Sequence, residues 1–311
     1  MFNGNLAIDY LQTNLTKDDH LSSSHWKKLH SGFEFSGSKF SRLIGFGEFR
    51  KPYGLLLWYA SVLQRPFRNF GRPYSKFKNF GELAVKIASK QTRAYGLDIL
   101  RQVLSISFLH THVPAKLNLN NMTCVIGDGF STMTALLLLS NSASRIVIVN
   151  LTKTLLVDLW YLKVLLGSDK FHNSVELVVD EFGLEQALKN PLRNVIALQA
   201  SHSSLLKLCP IDMFINIASF QEMDAPVINH YFDEMRAIAH KRDVALYCCN
   251  RQEKQLPDGT IIKFTKYPWK TDDKIIVDEL CPWHQHYYSL LPPFYRLYDG
   301  PHQHRLVTLS P

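Results

Sequence analysis

Four histidines near the end of the chain form two pairs, His284 with His286 in "PWHQH" and His302 with His304 in "PHQH". Residues two apart share a face when the backbone is extended, so each pair can turn two imidazoles toward one ion. No carboxylate accompanies them in sequence, and hard cations such as Mg²⁺ prefer oxygen ligands, so no metal ligand is assigned at this stage. A second group is "CVIGDGFSTM", Cys124 to Met133, where a buried-strand pattern runs into a helix pattern. Without a Cβ, Gly127 allows a sharp turn and Gly129 lets the backbone approach a ligand. The N–H groups of the helix that follows would face whatever sits there. Taken alone, a GxG is equally a plain structural turn.

Further polar residues recur where apolar runs stop. Asn150 stands 23 positions after Gly127, near the roughly 20-residue spacing at which a nucleotide-binding sheet meets a ribose. Its amide can bond two ribose oxygens, or it can cap the helix beginning at Leu151. Gln199 ends the next run, where its amide could read an adenine edge or simply face water. In "INIASFQEMD", 215–224, Asn216, Ser219, Gln221 and Glu222 are interleaved with Ala218, Phe220 and Met223. That mixture fits a pocket wall better than a solvent loop.

Positioning these residues requires a sheet. Met122–Ile126, Arg145–Asn150, Asn194–Gln199, Met213–Ile217 and Val244–Cys249 read as short apolar strands. Ser131–Leu139, Leu151–Leu166 and Ala225–Lys241 read as helices between them. Such alternation predicts an α/β fold, a doubly wound and mostly parallel sheet whose ligands bind at the carboxyl ends of the strands. In the tail, Tyr295–Leu297 and Arg305–Leu309 predict an antiparallel edge pair. The connection 251–293 is too long for an ordinary strand crossing and carries Tyr267, Trp269, Trp283, Tyr287 and Tyr288. Those rings either face a sugar from a binding loop or form a small core of their own.

Residues 1–118 hold 17 Lys+Arg against 7 Asp+Glu, whereas 119–311 hold 18 against 20. We therefore expect a basic, mainly helical N-terminal region, 1–118, on a near-neutral second domain, 119–311. Its long helical pattern, Phe80–Leu109, has Leu83, Ile87, Leu97, Leu100, Val103 and Leu104 on one stripe. Ahead of it, "RPFRNFGRPYSKFKNF" (65–80) interleaves five cations with five aromatics. It is either a loop with its rings turned inward or a contact for an anionic surface, with nucleic acid disfavoured. No apolar run reaches the roughly 20 residues of a membrane span, and the first ten residues do not read as a secretory signal. Five cysteines without a CxxC pair predict a reduced, cytoplasmic protein with buried thiols.

Taken in order, "VIGDG", "VIVNLTKTLLVDLWYL" and "INIASFQEMD" resemble a bacterial family of sugar O-methyltransferases. The likeness extends more weakly through "SHWKKL" and the "CPWHQHYY…DGPHQHRL" tail. It implies a Rossmann-like sheet of seven strands with the last one antiparallel, and S-adenosyl-L-methionine (SAM) as cofactor. It further implies a saccharide or glycoconjugate acceptor, as in bacterial glycan modification. By this resemblance Gly127, Asp128 and Gly129 face the amino-acid moiety of SAM, Asn150 the ribose and Gln199 the adenine. Asn216 to Ser219 then lie along the edge facing the methyl group. Val125, Ser131 and Asn150 depart from the wider SAM fingerprint, which carries an acid, a third glycine and a ribose acid at those places.

An acceptor hydroxyl is weakly acidic, so such a transferase needs a positioned base. The candidates are Glu222, His230, His284, His286, His302 and His304, with Glu222, His284 and His302 placed first. The N-terminal region would bind the acceptor, act as a lid or support an oligomer. Two other readings stay open: an NAD-dependent nucleotide-sugar oxidoreductase or epimerase, and a binding module with a vestigial pocket. Against the oxidoreductase stands the missing third glycine.

Overall fold

Nine strands, among the described residues, join in one sheet in this computed structural model, which describes residues 1–37, 39–41, 43 and 54–311. In chain order they are β1 (Phe2–Asn3), β2 (Met122–Ile126), β3 (Arg145–Asn150), β4 (Val175–Val178), β5 (Val195–Gln199), β6 (Ile211–Ile217), β7 (Val244–Arg251), β8 (Lys274–Leu280) and β9 (His302–Leu309). Across the sheet they run β1-β4-β5-β3-β2-β6-β7-β9-β8. From β4 to β7 the pairing is parallel, while β9 is antiparallel to both of its neighbours. The α/β, doubly wound and mostly parallel sheet is thus as expected, and its last strand is antiparallel.

The expected count of seven strands falls short by two. β4 lies outside β5, and β1 pairs antiparallel with β4, so the start of the chain forms the sheet edge. Tyr295–Leu297 does not join β9; it makes a separate hairpin with His286–Tyr288. The place beside β9 belongs to β8, from within the long 251–293 connection. Every residue of β8 is exposed or half-exposed although its sequence, "KIIVDEL", carries a β-branched run, as fits its place at the sheet edge.

Among the helices of the described residues are α1 (Gly4–Thr13), α2 (Phe77–Lys90), α3 (Leu97–His112), α4 (Thr132–Leu139), α5 (Thr152–Leu166), α6 (Glu181–Lys189) and α7 (Ala225–Ala239), which cover the faces. Alternate strand residues go to opposite faces, as the pleat requires. Val125 joins one core with residues of α2, α3, α4 and α5, while Cys124 and Ile126 join a second with residues of α6 and α7. The N-terminal helices therefore complete one layer of the sheet. Left-handed Thr92 (φ 55°) lies in the break that splits the expected 80–109 helix into α2 and α3.

The aromatic segments resolve toward packing. Phe67 and Phe80 are buried and Tyr74 and Phe77 half-buried, while Phe70 and the cations Arg65, Arg68, Arg72, Lys76 and Lys78 are exposed, so most but not all of the rings turn inward. Tyr267 and Trp283 are also buried, in the second and first core respectively. Neither ring is available to a sugar.

Candidate active site

β2 has β3 on one side and β6 on the other, so the connections leave it in opposite directions. This is the switch point at which an open α/β sheet leaves a crevice beyond its strand ends. The turn after β2 fills the crevice floor. Gly127 and Gly129 have φ of 74° and 64°, and Phe130 and Ser131 follow at 60° and 50°, a run of left-handed backbone. A Cβ at Gly127 would overlap the Ser219 side chain, so glycine is needed there twice over, for conformation and for space.

Below this turn, carboxylates take up the helix N–H groups. Asp128 accepts from Met133 N at 2.9 Å and Thr134 N at 2.7 Å. Asp158, fully buried on α5, accepts from Ser131 N at 3.0 Å and from Asn150 Nδ2 at 2.9 Å. Burial pushes both carboxyls up, and Asp128 pushes Asp158 up further; the Arg93 guanidinium opposes both shifts. Arg93 lies 4.0 Å over the Phe130 ring. The expectation of free N–H groups at the start of α4 is therefore corrected. Asp128 caps the helix from within, and its carboxylate is turned to that helix rather than to a ligand.

Asn150 serves its own helix and lines the crevice as well. Its Oδ1 accepts from Leu151 N at 3.0 Å and its Nδ2 holds Asp158. Gln199 and Asn216, by contrast, are fully buried and line neither of the two cavities that meet here. Gln199 donates to Thr152 Oγ1 at 2.7 Å, beneath the floor. Asn216 donates to Ile126 O at 3.1 Å and accepts from Phe220 N and Asn250 Nδ2, tying the ends of β2, β6 and β7 together. Asn216 is thus held by internal hydrogen bonds, whereas Gln199 uses its Nε2 internally and leaves its buried Oε1 without a partner.

Two cavities meet above this floor. One, of about 200 Å³, is lined by Gly127–Gly129, Ser219, Glu222, His284 and His302. The other, of about 420 Å³, has an apolar wall of Leu21, Leu151, Met223, Val227 and Tyr231. Trp26, Asn150, Ser219 and Glu222 belong to both. Trp26 comes from the short helix Ser24–Leu29, whose neighbour Ser23 donates to Glu222 O at 2.5 Å. In sequence, "SHWKKL" carried only a weak likeness, and nothing local marked Trp26, Arg93 or Asp158 as site residues.

The tail histidines part company. His284 and His302, one from each pair, stack with centroids 5.2 Å apart and line the smaller cavity. His286 is exposed on its hairpin, while His304 is buried against Tyr247 and Glu279. For the first pair "two apart on one face" is corrected, because "PWHQH" is a helical turn running into a hairpin rather than an extended strand, whereas His302 and His304 do lie two apart on the extended β9. Burial and the nearby Arg101 hold His284 well below the usual imidazole range. Burial, Arg251 and Arg101 take His302 down to about 3. Both are neutral at pH 7, each with an unprotonated ring nitrogen, and the same burial makes them weak bases. Glu222 accepts from Lys254 Nζ at 2.7 Å and lies 3.4 Å from His25 Nε2. Burial alone would push its carboxyl up, but His25 and Lys254 outweigh that and hold it below its ordinary value. A carboxylate so paired is a poor base. His230 sits in the larger cavity against Ser203, 3.0 Å away.

No family profile matches the chain, and no curated protein matches it. Among solved structures it is similar to a SAM-dependent methyltransferase from Anabaena variabilis, at 12% identity and TM-score 0.39, over 66% of this chain and 83% of that one. It is similar to the methyltransferase domain of bacterial CtHen1, at 13% and 0.38, over 69% of this chain and all (100%) of that one. A likeness to MtNAS, in a complex with MTA and tNA, spans 98% of this chain and 97% of that one, at 10% and 0.39. At such identities and scores these likenesses fix neither activity nor substrate, and the fold rests on the strand order and directions above. No described helix is long and apolar enough to cross a membrane.

Proposed function

We propose that the protein is a SAM-dependent O-methyltransferase acting on a hydroxyl of a sugar or glycoconjugate. The observation that carries this reading is the junction of the two cavities at the switch point. An apolar chamber large enough for a nucleoside opens, past Asn150 and Ser219, onto a smaller one walled by neutral imidazoles. The larger chamber suits adenine, with Leu151, Met223 and Tyr231 as its apolar walls, and Asn150 stands where the ribose would pass. This fits SAM better than a dinucleotide. A pyrophosphate needs helix N–H groups, and here Asp128 already holds those of α4.

When bound, SAM supplies a sulfonium methyl: the acceptor oxygen bonds to the methyl carbon, the carbon–sulfur bond breaks, and a neutral thioether leaves. The protein's part is to align the oxygen and remove its proton. His284 and His302 are the groups placed for the proton, and Glu222 holds Lys254 and His25 at the junction as a positioning residue. The sugar assignment rests on the sequence resemblance and on a shallow neighbouring cavity of about 360 Å³ lined by Tyr287, Tyr288 and Tyr298. It shares Arg101, Arg251 and Tyr298 with the smaller chamber, and its flat rings suit the apolar faces of pyranoses. Calorimetric titration with SAM, with its demethylated product and with NADH tests the reading. Binding of the first two and not the third is expected; binding of NADH alone overturns it. A panel of glycans with labelled SAM then tests the acceptor.

A further inference from the structure

Beside the smaller chamber, three side chains from distant parts of the chain bring their ligand atoms together. Cys249 lies on β7, Cys281 directly follows β8, and His284 is three residues further on in the same turn. All three are buried, and their two sulfurs and one imidazole nitrogen lie within 4.8 Å of one another. His284 Nδ1 is 3.2 Å from Cys281 Sγ and 3.6 Å from Cys249 Sγ. Around a tetrahedral zinc ion, with Zn–S about 2.3 Å and Zn–N about 2.1 Å, sulfur and nitrogen ligands stand about 3.6 Å apart. The observed separations are close to those of a formed ligand set.

We propose that Cys249, Cys281 and His284 bind a soft divalent cation of the zinc class. Three features support it besides distance. The Cys281–His284 spacing closes as a tight turn, with His284 N donating to Cys281 O at 3.1 Å. Outer hydrogen bonds fix that turn: Gln285 Nε2 donates to the carbonyls of Cys281 and His302 at 2.8 and 2.7 Å, and Arg101 Nε to that of Trp283 at 3.1 Å. Such support around ligands is what orients them. The charges also balance. Binding releases the two thiol protons to solvent, and two thiolates with one neutral imidazole cancel the ion's charge, which a buried site requires. The chamber lined by His284 and His302 supplies the route in and the fourth ligand.

The site is independent of the methyl-transfer reading, so its test does not use activity. The full chain is purified without chelator and its metal measured by mass spectrometry, with Cys281→Ser, His284→Gln and, as control, His286→Gln alongside. About one zinc per chain is expected in the parent and control, and a loss of most of it in the other two. Cobalt reconstitution of the parent should give thiolate-to-metal charge-transfer absorption, read whether or not the variants fold. Parent protein that carries no zinc and takes up no cobalt, or cobalt bound without the thiolate band, overturns the proposal.

Discussion

The two halves of the crevice are built on opposite plans. On the side of Gly127–Ser131, most of the polar groups are answered from inside the protein: Asp128 by its helix, Asp158 by Ser131 and Asn150, Asn216 by Ile126, Phe220 and Asn250, while the buried Gln199 Oε1 has no partner. On the side of the tail, two imidazoles are held neutral by burial and by Arg101 and Arg251. The first half is a rigid mould in which shape and apolar contact would set affinity. The second keeps two unprotonated imidazoles at the chamber wall. Buried, satisfied networks rigidify a site, whereas a desolvated imidazole stays neutral because burial penalises its charged form.

This contrast is broken most directly at His302. His302→Gln should lower kcat by about 10²–10⁴-fold, the usual range for loss of a general base, and leave SAM affinity within about twofold. Equal losses in both would show the halves are not separable. Next in size is an acid effect on the cover that both halves share. Burial first, then Lys153, lowers His30 to about 4, at the end of the Ser24–Leu29 helix that carries Trp26. A histidine with a depressed folded pKa contributes stability that is whole above its unfolded value near 6.5 and is lost as pH falls toward 4. We expect about 3 kcal/mol of that stability to be gone at pH 4. Hydrogen exchange of 20–30 between pH 7 and 4 measures it, and His30→Phe should flatten the dependence.

Gly127→Ala tests the mould. The new methyl meets the Ser219 hydroxyl and a left-handed φ, so a cost of about 2 kcal/mol is expected in thermal unfolding or SAM affinity. Adding Ser219→Gly should restore the part due to crowding and not the part due to φ. The smallest expected effect is at the junction. Glu222→Gln keeps its shape but loses the charge opposite Lys254, for about 1 kcal/mol in SAM or acceptor affinity with kcat nearly unchanged. A large fall in kcat would return Glu222 to the role of base.

Much of the central fold was legible because its strands are apolar on both faces. β2, β3, β5, β6 and β7 were found within two residues, as were α4, α5 and α7. β8 was missed although "KIIVDEL" carries a β-branched run, because that run lies inside a connection read as one long loop, and β1 and β4 because two and four residues are too short for any period. At the site, strand-end position was readable and side-chain direction was not. Asn150 and Asn216 occupy equivalent strand ends, yet one borders the crevice and the other ties three strands beneath it.

By itself, then, the sequence determined the sheet's parallel core, the glycine turn at its centre and the supply of histidines in the tail, since each follows from local pattern. Tertiary structure alone decided which histidines meet. His284 and His302 are 18 positions apart and converge because β9 returns antiparallel beside β7, which also carries Cys249 toward Cys281. The same folding brought Trp26 and Arg93 to a crevice centred on residues 127–222. Local periodicity records which face a side chain takes; only the closed sheet and its covering layers record what that face meets.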